Sequence, residues 1–440
     1  MNPVTFIETK REGRSNDPSD IRELVRLVMT GGIGDYQVAA WLMAVFFRGM
    51  SAGECRVFTE SLASSGKIVS FPDRMSPVDK HSTGGVGDKT TLAVVPLAAA
   101  CGIPVAKLSG RGLGFTGGTI DKLESIPGFR AHLEMDDFVR QVRSVGCAIS
   151  GHSGDLAPAE AIFYELRDVT GTIPSIPLIT SSIVSKKVAG GSKSFVFDVK
   201  CGSGAFMEDQ DTARELAQNL VELSSSLGKT SMAFITDMSQ PLGRWVGNAA
   251  EVGEAMEVLE GRGPGDTAKL SITLAGAMVF LGGKAPSLEE GKRAAEQAIL
   301  SGRGYSTFRE MILSQGGDLE AFRRSLSSGE LLGSHVIEVR SEDSGYVDRC
   351  DARTFGEAIR MLGGGRFAKG DGIDHAVSCE ILRKTGEQVS RGEVLARIYC
   401  KEEGDLCGQA ADMIGKAYSI GGSSAMPGLI VGSVGPVHPK

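Results

Sequence analysis

None of the eight cysteines (Cys55, Cys101, Cys147, Cys201, Cys350, Cys379, Cys400, Cys407) forms a C-x-x-C pair or stands at metal-type spacing from a histidine. This argues against structural zinc and a disulfide framework, and for reduced thiols in a cytoplasmic protein. A basic surplus is also missing: 47 Lys and Arg against 54 Asp and Glu leave a formal charge of −7. Nucleic acid is therefore not expected as a partner, and any anion site has to be local. Long apolar runs are absent too. The longest, 92–106, is broken by Pro96 and Gly102 and is too short to span a bilayer. The opening "MNPVTFIETKREGRS" lacks the apolar core of a signal peptide, so no membrane association is expected. No repeat or low-complexity segment stands out.

Glycine, by contrast, is abundant: 59 of 440 residues, about twice the usual share and without a collagen-like period. Five of them (Gly110, Gly112, Gly114, Gly117 and Gly118) crowd into "KLSGRGLGFTGGTIDKLES" at 107–125, and a second run, "DKHSTGGVGDKTT", lies at 79–91. Glycine loses more backbone entropy on folding than any other residue, so such runs mark special dihedrals or backbone close to a ligand.

The length allows two or three domains. Residues 1 to about 65 read as helices, with Ile21, Leu24, Val25 and Val28 at helical spacing and "SAGE" at 51–54 fitting a capping box. Their apolar faces must be buried in an intramolecular core or in a dimer interface. From about 66 the pattern changes to short apolar strands, "KIVSF", "IPVAKLS", "SFVFDVKCGSG" and "SMAFITDM", with helices at 89–101 and 157–168 between them. The expected fold class is α/β: a small all-helical domain (1–65 and 159–189), a large α/β domain with a mostly parallel sheet (76–158 and 190–335), and a C-terminal α+β lobe (340–440). Ligands of such sheets bind beyond the carboxyl ends of the strands, where both glycine runs would sit.

Gly112, Gly114 and Gly117 match G-x-G-x-x-G after a strand-like segment, a weak dinucleotide signal. Pro127 and Gly128 allow only a short helix afterwards, and Lys107, Ser109, Arg111 and Thr119 are surplus to a dinucleotide turn. The upstream run misses the P-loop, because Asp88 stands where the glycine before Lys89 should be. Inorganic phosphate fits better: a dianion needs backbone N–H groups, hydroxyls and cations. Lys80, Ser82, Thr91, Lys107, Ser109 and Thr119 supply them from the two turns. Either turn alone would be read as ordinary helix capping by Ser and Thr.

Together "VDKHSTGGVGDKTTL", "SGRGLGFTGGTIDKLESIPGF", "LRDVTGTIPSIPLITSSIVSKK" and "DVKCGSGAFM" resemble the thymidine phosphorylase and pyrimidine-nucleoside phosphorylase family, in order and over most of the chain. The resemblance implies phosphorolysis, in which a pyrimidine nucleoside and phosphate give free base and a pentose 1-phosphate. It further implies nucleoside and phosphate as partners, a homodimer, and no organic cofactor. Ser182 and Lys186 lie four apart on a predicted helix and so project from one face; Arg167 ends the preceding helix and His81 sits in the first turn. By resemblance these four match the family's base-binding set, with His81, Arg167 and Lys186 as the catalytic members. Taken singly, a helical Lys or Arg is ordinarily solvated and His81 would only bond its own loop. His132, His152, His335, His375 and His438 have no such context and read as structural or surface.

Resemblance also implies a monovalent-cation site, potassium being the candidate, formed by Glu254 and the carbonyls of Gly87, Leu242 and Trp245. Three positions depart from the commonest family pattern: Phe115 where histidine is frequent, His152 in place of a "GQT"-like segment, and Lys89 where some members have threonine. Lys89 bears on the cation site. Two rival functions are a phosphoribosyltransferase, using a pentose diphosphate and magnesium, and a non-catalytic nucleoside or phosphate sensor.

Overall fold

The structure, a computed structural model, describes every residue except 73–74, 113, 116, 369, 403, 423–425, 427 and 438–440. His438 therefore lies outside the described residues.

The N-terminal segment forms four helices: α1 (Pro3–Arg11), α2 (Pro18–Thr30), α3 (Asp35–Arg48) and α4 (Ala52–Ala63). Their starts follow from the sequence. Asp17 caps α2 with Pro18 at its first position, and Ser51 and Glu54 form the reciprocal capping box of α4. Glu54 has a second task. Its buried carboxylate pairs with Lys10 at 2.7 Å and accepts from the Asn16 backbone N–H, tying α1, the α1–α2 link and α4 together.

The chain then alternates strand and helix: β1 (Val78–Ser82), α5 (Thr90–Ala100), β2 (Val105–Ser109), the short α6 (Thr119–Leu123), α7 (Met135–Val145) and β3 (Cys147–Gly151). It returns to the helical layer with α8 (Pro158–Thr170) and α9 (Ile176–Ala189). Phe163 of α8 and Leu178 of α9 join Phe6, Trp41 and Phe58 in one core, with Trp41–Phe58 and Phe58–Phe163 centroids 5.4 and 5.1 Å apart. Next come β4 (Ser194–Cys201), α10 (Gln210–Ser226), β5 (Thr230–Asp237), the two-residue β6 (Trp245–Val246) and α11 (Asn248–Leu259).

Strand order in the main sheet is β1-β4-β5, all parallel, with the antiparallel strand Ile430–Val437 on the far edge of β5. Strands β2 and β3 pair in parallel beside it. The last strand lies within the span expected to form the C-terminal lobe but adds to the main sheet instead. Conversely, β6 pairs with Ser378–Ile381 of the C-terminal sheet. These exchanges place the C-terminal lobe against the mouth of the α/β domain, where Gly356 packs onto the Phe115 carbonyl.

One expected strand is corrected. "KIVSF" at 67–71 is not a strand: it makes isolated bonds, Lys67 N–H to the Asp155 carbonyl and Val69 N–H to the Ala189 carbonyl, with no neighbour to extend a ladder. The strand before the first glycine run is instead "VDKHS", whose polar residues hide it from any apolar pattern.

Candidate active site

Strands β1, β2 and β3 end at Ser82, Ser109 and Gly151, and their carboxyl ends open into a cleft of about 490 Å³ whose other wall is α8 and α9. His81, Ser82, Thr91, Lys107, Ser109, Thr119, Arg167, Ser182 and Lys186 all line it. Lys80, the remaining member of the expected phosphate set, is fully buried just behind this wall, 2.6 Å from the Thr90 hydroxyl and 3.4 Å from that of Thr91.

Both glycine runs are shaped by close backbone approach. A Cβ on Gly118 would lie 2.1 Å from the Gly112 nitrogen and 2.6 Å from an Asp121 carboxylate oxygen, so the loop can fold onto itself only without a side chain there. Asp121 then accepts from the Gly112 N–H at 2.6 Å and pairs with Arg111 at 3.0 Å, which pulls Arg111 to the rim, where it also meets Glu124. In the first run Gly87 has φ +71°, and a Cβ would stand 2.6 Å from the Leu242 carbonyl. Asp88, beside it, accepts from the Ser82 hydroxyl at 2.5 Å and from Thr90 N–H and Oγ1 at 3.1 and 2.6 Å, at the start of α5.

A net positive charge is built into this end of the sheet. Asp79 is shared by two buried lysines, Lys187 at 2.8 Å and Lys107 at 3.8 Å, so this cluster carries a surplus cation. Next to it Asp198 lies 2.8 Å from Lys200 and 3.6 Å from Lys80, all three fully buried. Burial, then the neighbouring Lys187, pushes the Lys107 ammonium well below the usual lysine range, the Asp79 charge notwithstanding. Burial also lowers Lys80, against the opposing pull of Asp88 and Asp198. For Asp88 burial acts upward, but Lys200, Lys80 and Lys122 outweigh it and hold the carboxyl well below its usual value. An anion entering this pocket relieves the crowding of cations. That local surplus exists in a chain of net charge −7.

The helical wall presents the other group. Lys186 donates to the Ser182 hydroxyl at 3.1 Å, one turn away on α9, as the four-residue spacing predicts. Both meet Glu160 of α8: Lys186 Nζ is 2.9 Å from Oε1, and Ser182 Oγ donates a short hydrogen bond to the same oxygen. Arg167, two turns along α8 from Glu160, is buried and spends three of its five N–H groups on the carbonyls of Thr172 (3.4 Å), Ile173 (2.7 Å) and Leu178 (3.2 Å). The Tyr164 ring lies between the cations, 5.5 Å from Lys186 Nζ and 5.9 Å from the Arg167 guanidinium carbon. Burial lowers Arg167 somewhat, Glu160 opposing.

His81 faces this wall from β1, opposite Phe197 in the register with β4. Burial, with Lys187, Lys107, Lys186 and Lys80 nearby, holds its imidazole well below the ordinary 6.5, so it is neutral at pH 7. A neutral imidazole keeps one N–H to donate and one lone pair to accept.

Sequence reading missed four groups here. Glu160 and Tyr164 share a face of α8 with Arg167, a signal available in the 4- and 3-residue spacing. Lys187 was overlooked beside Lys186 although it reaches back to Asp79 and the Leu108 carbonyl. His152, expected to be structural or surface, lines the cleft instead. It follows directly on the carboxyl end of β3, and burial, then Lys187, Lys186 and Lys107, hold its imidazole well below the ordinary value. Phe115 points to the C-terminal lobe, its ring 6.1 Å from Phe206 and 5.0 Å below the Arg353 guanidinium carbon.

Of the four groups expected around a potassium ion, the carbonyls of Leu242 and Trp245 and the carboxylate of Glu254 surround the ammonium of Lys89, while the Gly87 carbonyl accepts from the Lys89 backbone N–H at 2.9 Å.

Comparison with known proteins agrees with this architecture. Residues 4–66 match the helical bundle domain of a glycosyl transferase family, residues 74–305 its a/b domain, and residues 346–421 the pyrimidine nucleoside phosphorylase C-terminal domain. The chain is 44% identical over 405 residues to the pyrimidine-nucleoside phosphorylase of Geobacillus stearothermophilus, covering 92% of this chain and 93% of that protein. It is equally 44% identical, over 406 residues and the same shares, to that of Staphylococcus haemolyticus. Among solved structures, anthranilate phosphoribosyltransferase from Thermus thermophilus superposes with a TM-score of 0.59 at 19% identity, over 72% of this chain and 99% of that one, a likeness of fold. The chain belongs to this glycosyl transferase family, in the branch of the pyrimidine-nucleoside phosphorylases.

Proposed function

We propose that the protein catalyses phosphorolysis of pyrimidine nucleosides, thymidine and, as further candidates, uridine and deoxyuridine, to free base and (deoxy)ribose 1-phosphate. The observation that carries this reading is the cleft itself: a cation-rich phosphate pocket at the strand ends facing, across open space, a wall of Lys186, Ser182 and Arg167. The family membership and the names of the relatives support it.

A phosphate oxygen attacks C1′ as the bond from C1′ to the base nitrogen breaks. The departing electron pair leaves on the base, and positive charge builds on the sugar. The protein needs no nucleophile of its own; it holds the phosphate in line and stabilises the base as an anion. Lys80, Lys107 and the hydroxyls of Ser82, Thr91, Ser109 and Thr119 hold the phosphate, with Ser82 turning from Asp88 to donate to it. Arg167 and Lys186 take one pyrimidine carbonyl, Ser182 the ring edge and His81 the other carbonyl. Since the His81 imidazole is neutral, the role that suits it is hydrogen-bond donor to the carbonyl as charge develops there. Closure of the helical wall over the strand ends brings the substrates together and excludes water.

The reading includes a cytoplasmic homodimer acting in nucleoside salvage. Eight free cysteines and the lack, among the described residues, of a helix long and apolar enough to cross a membrane accord with it. Tyr36, Met43 and Phe47, exposed on one face of α3 at intervals of seven and four residues, support a dimer through the helical domain.

Phosphorus NMR of the protein with uridine or thymidine and phosphate tests the reaction. The expected result is a sugar 1-phosphate resonance growing in step with loss of inorganic phosphate. If base is consumed only with a pentose diphosphate and magnesium, or nucleoside binds without turnover, the proposal fails.

A further inference from the structure

Lys89 is among the largest fully buried side chains of the protein. It stands at the entry to α5, between Asp88 of the first glycine run and Thr90. Its ammonium donates to the Leu242 carbonyl at 2.9 Å, the Trp245 carbonyl at 2.8 Å and Glu254 Oε2 at 2.6 Å. Three donors meet three acceptors, so the group is fully satisfied. Glu254 is held in turn by the backbone N–H of Arg244 at 2.7 Å and of Trp245 at 2.9 Å.

Oxygens converging in this way, two carbonyls and one carboxylate, are the donor set that strips the hydration shell from a monovalent cation. Here the centre of that set is taken by a covalently tethered charge, and an ion bound to the same three oxygens would overlap the ammonium. The residues present therefore do not fit the potassium ion that the family resemblance implies. We propose that Lys89 is a built-in replacement for that ion: a positioning residue that gives the protein a permanent cation at this junction and makes its stability independent of potassium.

The position explains why a cation is needed there. Three pieces of chain meet at the ammonium: the turn carrying Gly87 and Asp88, the 242–246 loop and α11. The Leu242 N–H bonds the Val86 carbonyl at 3.1 Å, so turn and loop are already in contact, and the Leu242 and Trp245 carbonyls of the loop point inward toward Glu254 and the ammonium. Without a positive charge, those carbonyls would face a buried carboxylate with nothing between them. The turn and the start of α5 supply Asp88 and Thr91 to the cleft, while the loop continues into β6 and its pairing with the C-terminal sheet. Lys89 thus fixes the phosphate turn relative to the C-terminal lobe without touching substrate.

Thermal melting separates this proposal from the assignment of the reaction, because it reads stability and not turnover. For wild-type protein, exchange of KCl for tetramethylammonium chloride at constant ionic strength is expected to leave the melting temperature unchanged, and equilibrium dialysis against RbCl, a potassium surrogate, to detect no saturable site. For Lys89→Ala, melting is expected to fall by several degrees in tetramethylammonium chloride and to be raised selectively by KCl as an ion enters the vacated oxygens. A wild-type melting temperature that rises with KCl, saturable rubidium binding to wild type, or a folded Lys89→Ala protein indifferent to KCl would each overturn the proposal. If Lys89→Ala does not fold, the two wild-type measurements decide alone.

Discussion

Replacing Lys186 with methionine keeps an unbranched side chain of nearly the same length and removes its charge. In the free protein the ammonium sits 2.9 Å from Glu160 and 3.1 Å from the Ser182 hydroxyl, and its side chain retains 25% exposure toward the cleft. Two effects follow. Loss of one preorganised donor to the developing base anion raises the barrier by about 2.7–4 kcal/mol, or on the order of 10²–10³-fold in rate. Glu160, nearly buried, is left with Ser182 as its remaining side-chain partner and turns a negative charge toward the anionic leaving group. Adding Glu160→Gln removes that charge, so the double variant should recover part of the loss, a coupling of about 0.5–3 kcal/mol. The assay is steady-state phosphorolysis with nucleoside and phosphate varied separately: kcat should fall while the KM for phosphate, bound at the opposite wall, changes little. Activity of Lys186→Met within about twofold of wild type, under 0.5 kcal/mol, would refute the role given to this wall.

Other consequences are equally open to measurement. His81 and His152 are both held below the ordinary histidine value, so the unfolded chain takes up protons near pH 6.5 that the folded chain does not. The stability they contribute is complete above that pH and is lost on acidification, at up to about 1.4 kcal/mol per pH unit for each; melting temperatures from pH 7.5 to 5.5 should fall, and His152→Gln should flatten the slope. Gly118→Ala places a methyl group against the Gly112 nitrogen, and the displaced turn should reduce kcat/KM for phosphate on the order of 10²-fold, measured by phosphate titration. Paired Tyr36→Ser and Phe47→Ser changes should move sedimentation from dimer toward monomer; a variant that stays dimeric places the interface elsewhere.

The parts of this structure that were readable from sequence are those whose physics is local. Ser51 and Glu54 announce a helix start because the capping box is complete within four residues. Ser182 and Lys186 declare a common face because helical spacing needs no tertiary information. By contrast β1 is hidden, since Asp79, Lys80, His81 and Ser82 look like a surface turn until Lys187 and Asp198, more than a hundred residues away, supply their partners. "KIVSF" misleads in the opposite sense: its composition suits a strand, but no neighbouring strand lies where its backbone could pair. Glu160 shares its helical spacing with Tyr164 and Arg167, but that signal is masked because an acidic residue in the first turn of a helix is already expected on dipole grounds. His152 shows the same limit, because its place in the cleft comes from the parallel pairing of β2 with β3 and not from its neighbours in sequence.

The most direct measurement of the central claim is the ultraviolet absorbance change of thymidine and uridine, each incubated with purified protein, with and without phosphate. The account predicts release of free base from at least one of them, only when phosphate is present, and the two rates give the preference at the 2′ position. Folded protein that releases base from neither nucleoside in the presence of phosphate, or releases it equally well without phosphate, would contradict it.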